Sequence, residues 1–514
     1  MQDIQQRLIE SAAKGMSASL WADIKGDQIA VHDPLGTHSF AKINDNANRI
    51  VRLLRERGIV EGDAIALLCS NRGEFVEVLS ASLRGGYRIT PVNWHLNGDE
   101  VEYIINDCDA KALFAETRYP SALSAKTPQV TLKVSIGEDA EGFESYAKIL
   151  PTFDASDITD PVPGSQMLYT SGTTGRPKGV YRKNTAGLMI PTPGAPDDVQ
   201  LCAGPAYHAA PLAFDVRSAM MQGNPLVFID RWDSENVLRV IEKYKITRAH
   251  LVPIMFQRLL ALPDEVKAKY DISSLRYIIH GAAPCPPEVK KAMIDWVGPI
   301  INEYYAGSEG GAGFVVTSEE WLSKPGTVGK LPSPEVLKIL DDDGNEVPQG
   351  TSGTLYFRVS PIAPFEYYKD AAKTASAHRG DFFTLGDVGY LDEDNYLFLT
   401  GRTAECIISG GVNIYPQEID NELIKHPAVE DSCSIGVPNE EWGEEVKAVV
   451  TLNPGYAPDE NLAKDIIAFA RAHLAGFKVP RSIDFVDELP RSPAGKIQRK
   501  KVREPFWAGR ARSI

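Results

Sequence analysis

No window of this chain offers the roughly eighteen uncharged apolar residues that a membrane-spanning helix requires, so no membrane span is expected. Cysteine is scarce and scattered. The six residues Cys69, Cys108, Cys202, Cys285, Cys406 and Cys433 include no Cys-x-x-Cys pair. That spacing excludes a disulfide frame or a zinc site and fits reduced thiols in the cytoplasm. The opening Met1-Gln2-Asp3-Ile4-Gln5 lacks the basic-then-apolar pattern of a secretory signal, which points to the same compartment. Positive charge is in deficit: 54 Lys and Arg stand against 69 Asp and Glu, a net charge of −15. General binding to nucleic acid or to an anionic membrane is therefore not expected. No internal repeat and no low-complexity tract interrupts the 514 residues, a length that implies at least two domains.

One segment outweighs the rest in information. A short apolar run, Met167-Leu168-Tyr169, reads as a strand and empties into Thr170-Ser171-Gly172-Thr173-Thr174-Gly175-Arg176-Pro177-Lys178-Gly179. Glycines let backbone N–H groups turn inward, the hydroxyls add donors, and Lys178 adds a point charge. The product is a nest for a polyanion, best matched by a nucleotide triphosphate. The Walker pattern is absent, because Lys178 is followed by Gly179 where that motif has Ser or Thr. Pro177 also argues against a helix starting directly under the phosphates.

Strand and helix signals alternate through the first two thirds of the chain. Ala47, Ile50, Val51 and Leu54 share one helical face, with Gly58 as the stop, and Ala64–Leu68 reads as a buried strand. A helix through Phe75, Val78 and Leu79 ends at Gly85-Gly86, and later Val237, Leu238, Ile241 and Tyr244 mark another. This alternation predicts an α/β fold with helices covering largely parallel sheets. After Gly401-Arg402 the pattern changes to hairpin-like pieces and a short α+β segment. The predicted division is an N-terminal body of layered α/β sheets, residues 1–402, and a small mobile α+β lid, residues 403–514.

Four further segments carry chemistry. Gly281-Ala282-Ala283-Pro284 offers a flat surface of small residues after a strand. Tyr304-Tyr305-Ala306-Gly307-Ser308-Glu309-Gly310 groups an aromatic ring, a hydroxyl and a carboxylate. Gly386-Asp387-Val388-Gly389 places an acid in a turn ahead of Gly401-Arg402, and Ser492-Pro493-Ala494-Gly495-Lys496 sets a lysine in a loop. The region from Arg491 onward is strongly basic; most of it reads as a solvated tail, and the part around Lys496 as a docking surface for a small polyanion.

Together the five motifs resemble the adenylate-forming superfamily, which includes acyl-CoA synthetases, beetle luciferases and the adenylation domains of peptide synthetases. His280-Gly281-Ala282-Ala283-Pro284 and Ile408-Ser409-Gly410-Gly411-Val412-Asn413-Ile414-Tyr415-Pro416 are most similar to its acyl- and aryl-CoA ligase branch. The resemblance implies that Thr170, Ser171, Gly172, Thr173, Thr174 and Lys178 cradle the β- and γ-phosphates of ATP. Tyr305, beside Tyr304, would stack on adenine, with Gly281, Ala282 and Ala283 closing the other face. Asp387 would accept from the ribose hydroxyls, supported by Arg402, and Ser308 would donate to the α-phosphate. Glu309 would help hold Mg2+, which commonly binds through one or two carboxylates plus substrate phosphates. Lys496 would bridge the acid and the α-phosphate.

The implied reaction joins a carboxylic acid to CoA. Attack on the α-phosphorus of ATP makes an acyl-adenylate and releases pyrophosphate; the CoA thiol then displaces AMP. The lid would swing between the two steps and bring Gly410-Gly411 to a pantetheine tunnel. His208 resembles the position that gates the acyl pocket, and Ala306, Gly307, Gly310 and Gly311 leave that pocket roomy. Burying about ten methylenes at about 0.8 kcal/mol each would supply about 8 kcal/mol before ordering costs. A medium- or long-chain fatty acid or a bulky hydrophobic acid is accordingly expected. Alternatives are an aryl acid, transfer to a carrier-protein thiol, a luciferase-like oxidase, an ATPase yielding ADP, and, in a different class, an inactive nucleotide-binding protein. The oligomeric state is left open, a homodimer included.

One departure from the family pattern concerns the hinge. The residue two positions after the arginine is usually Asp or Lys; here it is Ala404, with Glu405 next to it. Ala404→Pro is expected to block thioester formation while sparing adenylation, as measured by acyl-CoA production against pyrophosphate exchange. Equal loss of both would refute a pivot at this point.

Overall fold

The buried run Ala64–Leu68 lies inside a parallel sheet, as its unbroken apolar character requires. In the computed structural model the strands run in the order Glu144–Ser145, Leu132–Ile136, Ala110–Glu116, Ala64–Leu68, Arg88–Pro91, Ser165–Gln166, all parallel. The structure describes residues 2–170, 177–182, 195–341, 343–361, 363–409, 412–440, 442–493 and 495–508; for residues 2, 3, 312, 404 and 413 only the backbone is described. Two compact units emerge. The first comprises Met1–Leu251, Leu262–Ile278 and Val359–Ser376; the second comprises Val252–Ala261, Ile279–Arg358 and Ala377–Ile514.

In the first unit, a second parallel set joins Arg248–Leu251, Gln200–Cys202, Leu226–Phe228 and Ile29–Asp33, with Gly36–Ser39 antiparallel at its edge. Helix Phe40–Glu56 buries Phe40, Ile43, Ala47, Ile50, Val51 and Leu54 along one face. Ser39 caps it by accepting from the Lys42 N–H, and Gly58 (φ +75°) follows it as the expected stop.

The second unit contains a hairpin, Ile301–Gly307 with Gly310–Val316. It also holds an antiparallel sheet in the order Thr327–Lys330, Tyr396–Arg402, Phe382–Leu391, Gly353–Arg358, Leu337–Leu340. Beyond Arg402 comes the α+β segment. Val412–Ile414, Ile407–Ser409, Gly443–Leu452 and Val429–Asn439 form a sheet, and Ser482–Phe485 lies parallel to Gly443–Leu452. Helices Pro416–Leu423 and Glu460–His473 bury Ile419, Leu423 and Ile466 in a core with Ile407, Val446 and Val450. The architecture is thus a layered α/β body with a smaller α+β C-terminal domain. Among the described residues no helix is long and apolar enough to cross a membrane.

A buried polar cluster fastens the edge of the first unit. His38 Nε2 lies 3.2 Å from Asp33 Oδ2 and Nδ1 lies 3.1 Å from Glu77 Oε1, while Tyr146 and Asn46 donate to the same Glu77. Burial alone would lower the His38 pKa, but its bonds to the two carboxylates overcome that and raise it to about 9. Burial would raise Asp33, yet bonds from His38 and the Gly73 and Leu35 N–H groups hold it down to about 2. The histidine contribution to stability is therefore complete below its ordinary value of 6.5 and is lost as pH rises through about 9. The aspartate contribution is complete above 3.8 and lost as pH falls through about 2. His38→Gln should lower the melting temperature by a few degrees at pH 6, and the gap to wild type should narrow as melts are taken from pH 7 to pH 9.5.

Candidate active site

The polyanion loop joins two antiparallel strands. Leu168–Thr170 pairs with Lys178–Arg182 in the register Lys178↔Thr170, Gly179↔Tyr169, Val180↔Leu168. Phe365–Tyr367 pairs with the other edge of Lys178–Arg182. Pro177 directly precedes the strand Lys178–Arg182, so no helix begins there. The predicted residues Ser171, Gly172, Thr173 and Thr174 lie outside the described residues, whereas Thr170 and Lys178 stand at the two ends of the loop.

The root of this hairpin is tied down by residues that the motif did not reveal. The Lys178 ammonium is ion-paired with Asp370, which also accepts from the Lys373 N–H at 2.9 Å. Just before Asp370, Lys369 adopts a left-handed conformation (φ +57°) and donates to Asp109 Oδ1 and to the Asp107 carbonyl, both at 2.8 Å. Tyr368 donates its N–H to the Gly179 carbonyl and its hydroxyl to Asp109 Oδ2, both at 2.8 Å, with the Arg88 guanidinium 4.6 Å over its ring. Tyr169 donates to Asp107 Oδ2 at 2.6 Å.

His208, also in the first unit, is half-buried just before a π-helical turn, Pro211–Arg217. Its ring centre is 4.5 Å from that of Tyr207, whose hydroxyl pairs with His95 Nδ1 at 2.9 Å. Trp94 stacks on His95 at 3.6 Å and on Tyr119 at 5.0 Å. Burial, reinforced by the Arg231 charge, lowers the His95 pKa and favours the neutral ring. The consecutive Trp94-His95 was a signal in the sequence, but nothing there tied it to His208.

Most of the other predicted residues meet in the second unit. The hairpin from Ile301 reverses over two residues, so that Gly307 pairs with Gly310 (φ +120°) and Ser308-Glu309 occupies the turn. A Cβ on Gly307 would meet Leu385 Cδ2 at 2.8 Å and Glu309 Oε2 at 3.2 Å. Gly281 is pressed against Tyr304, which a Cβ would approach to 2.6 Å, and Ala282 next to it has φ +66°. The small residues Gly307 and Gly310 are thus accounted for by turn geometry and close packing, and Ala306 and Gly311 are exposed.

Asp387 is buried and takes a bond from each side. The Tyr305 hydroxyl donates to Oδ2 at 2.6 Å, and Arg402 Nε donates to Oδ1 at 2.8 Å. Burial and the Asp387 charge push the Tyr305 phenol well above its ordinary range, so it remains a donor. Arg402 and Asp387 are also backbone partners across adjacent strands.

Lys496 belongs to the same unit, on a tight turn. Arg491 and Ile497 pair across it, the Ser492 N–H donates to the Lys496 carbonyl at 2.7 Å, and Arg491 Nη1 donates to the Gly495 carbonyl at 2.6 Å. Lys496 remains solvent-exposed although densely walled by protein atoms. That crowding, and after it the Arg402 charge, lower its pKa to about 8 against the upward pull of Asp387, Glu309 and Glu405. Of the thiolation and hinge residues, Gly410 and Gly411 lie outside the described residues. Ala404 and Glu405 fall in a short 3-10 turn, Thr403–Glu405.

Residues 19–365 match the family described as AMP-binding enzyme, and residues 418–496 match the AMP-binding enzyme C-terminal domain. A fatty acid–[acyl-carrier-protein] ligase, ScoC of Streptomyces coeruleorubidus, is 30% identical over 495 residues, covering 93% of each chain. A feruloyl-CoA synthase of an Amycolatopsis species is 31% identical over 481 residues, covering 91% of this chain and 94% of the relative. Among solved structures, the anthranilate CoA ligase AuaEII in complex with anthranoyl-AMP superposes with a TM-score of 0.86 at 26% identity, over 96% of this chain and 97% of that one.

The turn carrying Lys496 has no room for a side chain at Gly495. Its φ is +79°, and a Cβ would lie 2.6 Å from Ile254 Cγ2. Because a displacement of about 1 Å at a reacting centre can cost about 10²-fold, Gly495→Ala should slow pyrophosphate exchange by about tenfold or more. Adding Ile254→Ala should restore part of the loss; wild-type exchange in the single variant would show that the turn tolerates a shift.

Proposed function

The chain belongs to the AMP-binding enzyme family, in the acyl-CoA (thioester) ligase branch of the adenylate-forming superfamily, and from that premise we propose which residues act and on which acid. It is an ATP- and CoA-dependent, AMP-forming acid–thiol ligase that works through an acyl-adenylate. A carboxylate is a poor acylating agent because oxide would have to leave; AMP is a far better leaving group. Negative charge on the bridging oxygen and α-phosphate is the main obstacle, so cations directed there are the main resource.

The observation that carries the assignment is the electrostatic shell around Lys496, which includes Arg402, Asp387 and Glu309 within one unit. We assign Lys496 to the acid and the α-phosphate, Ser308 to the α-phosphate, Tyr305 and Tyr304 with Gly281, Ala282 and Ala283 to adenine, and Asp387 with Arg402 to the ribose. The loop from Thr170 to Lys178 is assigned to the β- and γ-phosphates. Glu309, one of the carboxylates of this shell, is assigned to Mg2+, which would neutralise phosphate charge when bound. The boundary near residue 402, a lid beyond it that turns about Ala404 and Glu405, and Gly410-Gly411 as the thiolation loop belong to the same reading. Six cysteines, none of them in a disulfide, support a reducing, cytoplasmic setting.

For the acid, the relatives do not single out a fatty or bulky hydrophobic substrate; they act on fatty and aromatic acids alike. An aryl acid is the better reading. The rings of Tyr207 and His208, backed by His95 and Trp94, favour a flat aromatic partner, since offset and edge-on ring pairs add about 0.5–1.5 kcal/mol beyond burial. Ala306, Gly307, Gly310 and Gly311 are assigned with His208 to the acyl pocket, and Gly307 and Gly310 have in addition a backbone reason to be small.

Mass spectrometry of the protein with ATP, Mg2+, CoA and a panel of benzoate, cinnamate, indoleacetate and C8–C16 fatty acids tests the proposal. An aryl-CoA formed together with AMP is the expected result; turnover of the fatty acids alone would reverse the substrate assignment. Lys496→Ala should reduce pyrophosphate exchange by about 10²–10³. Because the ammonium is the active form, wild-type exchange at subsaturating ATP, which reports the free enzyme, should decline as pH rises through about 8.

A further inference from the structure

Two ribose- and phosphate-directed residues in the second unit each stand three positions before one member of an ion pair. Glu405 follows Arg402, Arg499 follows Lys496, and Arg499 Nε donates to Glu405 Oε2 at 3.0 Å. Each end of this link is itself anchored. Arg402 is bonded to Asp387, and Thr403 Oγ1 donates to the Gly386 carbonyl at 3.2 Å. Arg499 is buried, with Nη1 donating to the Ser434 carbonyl at 2.5 Å and Nη2 to Asp420 Oδ2 at 2.9 Å. Asp420 is held in turn by the Ser434 N–H at 2.6 Å. Only Ala404 separates the fastening at Thr403 from the fastening at Glu405.

Two cations, Arg402 and Lys496, share one electrostatic neighbourhood and repel each other. Asp387, Glu309 and Glu405 oppose that repulsion, and Glu405 is in addition bonded to Arg499, three residues after the lysine. We propose that Glu405 is a positioning residue for adenylation, its ion pair with Arg499 setting Lys496 beside Arg402 and Asp387. The pair links residues 94 positions apart in sequence, and so fixes the approach of the lysine segment to the ribose-directed arginine. The inference rests on the reading of Lys496 as the adenylating lysine.

Glu405 is about one-third exposed, so its neutral isostere, Glu405→Gln, leaves the core of the domain unaltered. Pyrophosphate exchange reports adenylation, using an acid that the panel shows to be turned over; CoA added to the chemically prepared acyl-adenylate reports the second step. Glu405→Gln should slow exchange by about tenfold or more while the second step is retained, and Glu405→Asp should recover part of the loss. Removing the carboxylate should also move the alkaline decline of exchange to lower pH, a change that a merely structural residue would not cause. Equal loss in both steps with an unmoved pH profile would overturn the proposal, as would normal exchange in Glu405→Gln when Lys496→Ala has lost it. If Lys496→Ala itself retains full exchange, the assignment of that lysine fails, and the role of Glu405 falls with it.

Discussion

The second unit is organised around one buried carboxylate. Asp387 takes a phenol from Tyr305 and a guanidinium from Arg402, and its charge also reaches Lys496. A buried carboxylate is costly unless it is hydrogen-bonded on several sides. Its partners come from different parts of the chain: Tyr305 from the hairpin ending in Ser308-Glu309, and Arg402 from the end of the adjacent strand. Satisfying Asp387 therefore aligns three segments that sequence alone leaves independent. Asp387, the ring of Tyr305 and the guanidinium of Arg402 are placed by the same two bonds.

Local chemistry made much of this legible beforehand. The apolar run before Thr170 predicted a strand, which is Leu168–Thr170, and Pro177 argued against a helix at Lys178, where the structure has the strand Lys178–Arg182. Apolar spacing in Phe40–Glu56, and the stop at Gly58, fixed that helix because a 3.6-residue period leaves few alternatives. Partners far apart in sequence were not legible. Asp370 lies 192 residues from Lys178, and Arg499 lies 94 from Glu405. No periodicity connects such residues; only the folded backbone does.

Small residues can be small for more than one reason. In Ala306-Gly307-Ser308-Glu309-Gly310-Gly311 the small side chains suggested open space. The hairpin gives Gly307 and Gly310 a further reason to be small, in the φ of +120° at Gly310 and the close contact beneath Gly307. The aromatic group around His208 shows the opposite difficulty. Trp94, His95 and Tyr119 stand far from Tyr207 and His208 in sequence, yet their rings form one chain of contacts that reaches His208 through Tyr207. Large rings reveal a site only once their mutual geometry is known.

The charge arrangement also explains why a lysine with a depressed pKa suits this chemistry. Crowding and Arg402 push the ammonium toward losing its proton, while Asp387, Glu309 and Glu405 resist that loss. A value of about 8 leaves most of the lysine cationic at neutral pH. It also leaves the ammonium incompletely stabilised by its own surroundings, so an anionic phosphate would strengthen its protonated form. By linkage, the same interaction favours the phosphate that stabilises the ammonium. Acids arranged to pair the lysine completely would forfeit that gain, and a site without them would hold the proton less firmly.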